Sequence, residues 1–124
     1  MFNVASEEAY QDGQVIFEER SSGDWVYVIL SGQVEISKAV GGKKMVIEVL
    51  QIDDVFGELA FLGGFNRTAT ARAIGETTVG ILDRVSLDEE FNKLPSDFRT
   101  ILTAVVERFK KMIDRIWGET KEGS

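Results

Sequence analysis

Neither cysteine nor histidine occurs among the 124 residues. Their absence removes disulfides, thiolate chemistry, the usual zinc sites and every mechanism that needs an imidazole as acid, base or metal ligand. Proline occurs once, at Pro95, so chain reversals fall mainly to the 12 glycines. No apolar run approaches a membrane span, and the opening MFNVASEEAYQDG is acidic where a secretory signal would be basic. A cytoplasmic chain without membrane contact is expected. Basic residues are outnumbered, 14 Lys and Arg against 21 Asp and Glu, for a net charge of -7. Nonspecific nucleic-acid affinity comes mainly from clustered cations, so no direct nucleic-acid contact is expected of this chain.

What is present belongs to an ordinary globular protein, with 44% apolar and 28% charged residues. The length suits one domain spanning residues 1–124. Glycines at 13, 23, 32, 41, 42, 57, 63, 64, 75 and 80 punctuate runs rich in β-branched and aromatic residues. WVYVIL (25–30), QVEISKA (33–39), KMVIEVL (44–50), TATARA (68–73) and TVGIL (78–82) read as short antiparallel strands. Ser31-Gly32 and Val40-Gly41-Gly42-Lys43 read as tight turns. Seven or eight such strands predict a mainly β fold of barrel or jelly-roll type over residues 10–85.

After Leu82 the period lengthens to that of helices, over residues 86–118. Ser86-Leu87-Asp88-Glu89 carries the capping-box pattern of a helix start, and Pro95 ends or redirects that helix. From Ser96 to Trp117, Phe98, Leu102, Val105, Phe109, Met112 and Ile116 alternate steps of four and three. Ile101, Val106, Ile113 and Trp117 widen the stripe beyond one seam, so the helix is expected to serve two surfaces. One would be its own barrel and the other a second copy of the chain, in a homodimer through residues 96–117.

The stretch FGELAFLGGFNRTATARA (56–73) combines a lone carboxylate, paired glycines and an arginine among small residues. Gly57 at a strand end, followed by a helix-compatible turn, would leave the Glu58, Leu59 and Ala60 amides facing an anion. Arg67 offers the forked donors that suit phosphate, and Thr68, Ala69 and Thr70 leave room beside it. Glu58 would be repelled by that anion unless it faced a neutral part of the same ligand, such as a sugar hydroxyl. The pattern suggests a nucleotide or sugar phosphate.

This stretch resembles the phosphate-binding cassette of cyclic nucleotide-binding domains, and GQVIF, GDWVYVILSGQVEI and LQIDDVFGE upstream are similar to that family's strands and turns. The resemblance covers roughly Tyr10 to Arg84. It implies an eight-stranded antiparallel β-roll with a helical lid, binding cAMP or cGMP without catalysis and without a further cofactor or metal. Carried over, Glu58 would hold the ribose 2′-hydroxyl, Arg67 the cyclic phosphate, and the amides of Gly57, Glu58, Leu59 and Ala60 would complete the pocket. Thr68, beside Ala69, stands where channel-type cassettes hydrogen-bond a syn guanine, while Leu50, Glu48 and Ile36 would line the base side. Trp117, Ile113 or Arg115 would cap the purine.

The sequence departs from the family pattern at Asn66, where proline is common, and at Arg20, where glycine is common and a positive φ would strain arginine. The chain also opens without much of the family's leading helix, as a fragment or a minimal sensor would. A degenerate scaffold that has lost its ligand is the competing expectation. A cupin-like metalloenzyme lacks its imidazole ligands.

Overall fold

A computed structural model describes residues 2–122, with side chains placed through Ile116. Six strands are β1 (Val4–Tyr10), β2 (Val15–Phe17), β3 (Tyr27–Val40), β4 (Lys43–Leu50), β5 (Val55–Phe56) and β6 (Thr70–Leu82). Helices α1 (Glu58–Gly63), α2 (Arg84–Lys93) and α3 (Ser96–Glu122) complete the element order. The sheet runs β1-β6-β3-β4, with β2 pairing β6 and β5 pairing β3, all antiparallel.

The fold is the expected mainly β one with C-terminal helices, but it has six strands among the described residues instead of eight. Ser31-Gly32 does not reverse the chain: β3 passes through it with register shifts on both sides of Ser31. Gly32 has φ 86°, and a Cβ there would lie 2.5 Å from Thr77 Oγ1. The Thr77 hydroxyl occupies that space and donates to the Gln33 carbonyl at 3.1 Å. A bulge of this kind bends a strand without ending it, so β3 and β6 each do the work of two jelly-roll strands. The expected hairpin at Gly41-Gly42 forms, with φ 59° and 77° matching a turn of inverted hand.

The core follows from two-residue alternation on either side of the bulge in β3, which moves the inward positions from odd to even numbers. Tyr27, Ile29 and Val34 are buried with Leu50, Phe56, Ala71, Val79 and Ile81. Val26 and Val28 point the other way, packing with Leu82 against Val4, Phe61 and Leu87. Each fully buried Val or Ile of this kind contributes about 1.5–3 kcal/mol. Strand β1 lies ahead of the expected start of the roll and pairs along β6 as far as Leu82.

Helix α2 begins earlier than its capping-box pattern suggests. Asp83 is the cap, accepting the Ser86 amide at 3.0 Å, because its short carboxylate also accepts the Ser86 hydroxyl at 2.8 Å. Leu94 is extended (φ -61°, ψ 140°), as a residue before proline must be, and α3 starts directly after Pro95. Among the described residues no helix is long and apolar enough to cross a membrane.

Arg20 does adopt a positive φ, 72°, which costs a non-glycine residue about 1–2 kcal/mol. Its amide donates to the Arg67 carbonyl at 2.7 Å, and the Arg67 amide donates to Ser21 O at 2.9 Å. The strained turn therefore holds the backbone of Arg67. Arg20→Gly is expected to raise stability by about 0.5–1 kcal/mol in urea denaturation. A loss of stability would show that the arginine side chain outweighs the strain.

Candidate functional site

A cavity of about 280 Å³ lies on the inner side of the roll beneath α3. Gly57, Glu58, Leu59 and Ala60 supply one wall, Arg67, Thr68 and Ala69 another, and Ile36, Glu48 and Leu50 reach it from β3 and β4. The ten residues expected to line the ligand pocket thus share one cavity. Ile36 and Glu48 are direct cross-strand partners, which explains why both reach it.

Local geometry places each group. Gly57 has φ 84° and precedes the first turn of α1, which has no side-chain cap, so that turn's amides are not satisfied by a capping side chain. Gly64 closes α1 with φ 65°, its amide donating to Ala60 O at 2.9 Å. A Cβ on Gly63 would lie 1.9 Å from the Phe65 ring and 2.9 Å from Val106 of α3. The bare glycine therefore lets α3 sit close to α1.

Arg67 is the most constrained side chain of the site, with 3% exposure. Its Nη1 donates to Gly57 O at 3.0 Å and its Nη2 to Trp25 O at 2.9 Å, while Nε is buried without a hydrogen-bond partner. The guanidinium lies 4.1 Å over the Phe17 ring, and Phe17 in turn packs 5.9 Å from both Tyr27 and Phe56. Burial pushes the Arg67 pKa below the ordinary arginine value, opposed by Tyr27, Asp24 and Glu58. The group stays cationic, and its unfinished donor set with incomplete compensation favours an incoming anion.

Residues 7–93 match the cyclic nucleotide-binding domain. The chain belongs to that family.

Among its curated relatives, the cAMP-dependent protein kinase regulatory subunit of Dictyostelium discoideum is 33% identical over 110 residues, 86% of this chain and 32% of the relative. The cGMP-dependent protein kinase egl-4 of Caenorhabditis briggsae is 38% identical over 103 residues, 80% of this chain and 13% of the relative. The structure of cAMP-bound PfPKA-R superposes with a TM-score of 0.64 at 41% identity, covering 68% of this chain and 30% of that one. The domain thus spans a third or less of the length of these proteins.

The cyclic nucleotide-binding domain also shows residues that sequence reasoning passed over. Phe17, Lys38, Ile47, Val55, Phe56 and Phe109 line the cavity. In the sequence Phe17 and Lys38 read only as strand residues, within GQVIF and QVEISKA. Ile113 reaches the cavity beside Phe109, whereas Arg115 is exposed and does not line it. The Trp117 side chain, the third candidate cap, lies outside the described residues.

Helix α3 divides its apolar residues differently from the sequence stripe. Val106 and Ile113 are buried, and Leu102 and Phe109 are half-buried with them. Phe98, Ile101, Val105 and Met112 remain 63%, 59%, 57% and 52% exposed. Leu102 and Phe109 therefore belong to the inward face, and the outer seam runs 98, 101, 105, 112. Asn66 is exposed, and the turn at Arg20-Ser21 holds the next residue's backbone from both sides, which supplies restraint where a proline is missing. Among the described residues no carboxylate cluster could hold a metal ion.

Proposed function

We propose that this chain binds cAMP or cGMP in the cavity and signals occupancy through α3, as a regulatory module without catalytic chemistry of its own. The observation that carries the reading is the buried Arg67 guanidinium, which lacks a partner for Nε, on a residue that lines the same cavity as Glu58. The cyclic phosphate would complete the Arg67 donor set together with the first-turn amides of α1. Glu58 would accept from the ribose 2′-hydroxyl, the neutral part of the ligand that a carboxylate beside an anion can tolerate. Thr68 would meet the purine edge, with Ile36, Leu50 and Glu48 around the base and Ile113 and Phe109 above it. The volume lies near the lower end of small-molecule clefts, about 300–1,000 Å³. The relatives named for cAMP and cGMP support the ligand class.

The ligand would act by binding one placement of α3 more tightly than others, because only differential affinity shifts a conformational equilibrium. The exposed apolar positions 98, 101, 105 and 112 follow steps of three, four and seven, which suits a second α3 across a two-fold axis. We read the chain as cytoplasmic, homodimeric and without direct nucleic-acid contact, the last from its net charge of -7.

Thermal unfolding with cAMP, cGMP and 5′-AMP tests both parts. A ligand at about 100 times its Kd adds ~2.7 kcal/mol, a rise in Tm on the order of 10 °C for a chain this size. One or both cyclic nucleotides are expected to give it and 5′-AMP much less. The midpoint is also expected to rise with protein concentration, as dimerisation requires. No shift at millimolar cyclic nucleotide would favour a scaffold without a ligand, and a concentration-independent midpoint would remove the dimer.

A further inference from the structure

We propose that the buried Lys38–Glu19 pair is a positioning element of the nucleotide site: it fixes the Thr68–Ala69 peptide, and affinity depends on it without either side chain needing to touch the ligand. The inference rests on the cavity taking a cyclic nucleotide.

The pair is unusual for its depth. Lys38 Nζ and Glu19 Oε2 are 3.0 Å apart with side chains 9% and 10% exposed, and Lys38 also lines the cavity. Removing two charges from water is expensive, and well-packed apolar residues often serve stability as well or better. A contribution to folding alone is therefore a weak reason for this arrangement.

Its hydrogen bonds point to a second purpose. Lys38 Nζ donates to the Thr68 carbonyl at 2.6 Å. Glu19 Oε1 accepts the Ala39 amide at 2.9 Å, and the Glu19 amide donates to Thr70 Oγ1 at 3.0 Å. The next two residues, Arg20 and Ser21, hold both backbone groups of Arg67. Residues 67, 68 and 70 are thus each fastened to the turn at 19–21 or to its ion-pair partner on β3. Because a peptide unit is planar, clamping the Thr68 carbonyl also fixes the Ala69 amide. Thr68 and Ala69 both face the cavity, so slack in this peptide displaces groups that meet the ligand next to the phosphate.

Two roles predict different behaviour when the charges are removed together. Lys38→Met removes the cation that balances the Glu19 carboxylate and is expected to lose both stability and affinity. Adding Glu19→Gln removes the unbalanced charge and keeps an acceptor for the Ala39 amide, so stability should recover. The Thr68 carbonyl still lacks its clamp, so affinity should stay about tenfold below wild type, the effect of losing one hydrogen bond to a charged group. Urea denaturation and calorimetric titration with cAMP and cGMP give the two readouts. A folded double variant with wild-type affinity would overturn the proposal, because the pair would then serve only the fold.

Glu19→Asp supplies a check in a chain that retains both charges. The shorter reach is expected to speed amide exchange at Ala69 and weaken binding several-fold, whereas unchanged exchange and affinity would contradict the positioning role. Wild-type protein is titrated alongside: if it binds neither nucleotide, the site reading itself fails and takes this inference with it. If it binds and the variants match it, only the inference fails.

Discussion

Arg67→Ala is expected to weaken cyclic-nucleotide binding about ten- to hundredfold, the ~1.5–3 kcal/mol of a hydrogen bond to a charged group. Folding is expected to lose a comparable amount, so the two effects are measured separately. Desolvation already disfavours the guanidinium, so deleting it removes an electrostatic cost as well as the contacts to Gly57 O and Trp25 O. Those carbonyls then lose their partners, which outweighs that relief and leaves a net destabilisation of about 1–3 kcal/mol. Arg67→Lys is expected to rescue little, because an ammonium cannot span both carbonyls and still present a forked pair of donors to phosphate. Calorimetric titration, with circular dichroism to verify the fold, separates the terms. Unchanged affinity in folded Arg67→Ala would remove Arg67 from the ligand site.

Gly57→Ala is expected to have the second largest effect, and it acts on the same cation from the other side. A Cβ at Gly57 would sit 2.8 Å from Arg67 Nη1 and 2.8 Å from Trp25 O, on a residue whose φ is 84°. The guanidinium would have to leave the position that both carbonyls define, and the backbone would pay about 1–2 kcal/mol for its left-handed conformation. We expect loss of affinity of at least about tenfold together with a stability loss of about 2 kcal/mol. Arg67→Ala in the Gly57→Ala background should add less than it does alone, since both act through the same guanidinium. Full additivity of the two substitutions would show that Gly57 affects binding by another route.

The parts of this account that were legible in the sequence are those set by local chemistry. The Gly41-Gly42 turn, the glycine before Glu58 and the small residues after Arg67 each announce a backbone requirement within a few positions. Those signals pointed to Gly57–Ala60 and Arg67–Ala69, whereas Ile36, Glu48 and Leu50 followed only from the family resemblance. Strain at Arg20 was legible for the same reason, as a bulky residue where the chain needs positive φ.

What stayed hidden depends on register between distant segments. Nothing around Lys38 distinguishes it from a solvated strand lysine; it is buried because the turn at 19–21 and the segment at 67–70 converge on it. The bend at Ser31-Gly32 looked like a reversal because glycine permits both, and only the close approach of Thr77 selects the bulge. Asp83 displaced Ser86 as a helix cap because both patterns occur within one turn and the carboxylate satisfies two donors. On α3, steps of three and four fit both faces, and contact with α1 through Gly63 decides that Val106 and Ile113 turn inward.

The cavity that Glu58 and Arg67 share is the proposed cyclic-nucleotide site. Its most direct test is calorimetric titration of the wild-type chain with cAMP and, in parallel, with cGMP. Saturable binding with one ligand per chain for at least one of them is the predicted result. Absence of heat from both at millimolar concentration, with unchanged thermal stability, would contradict it.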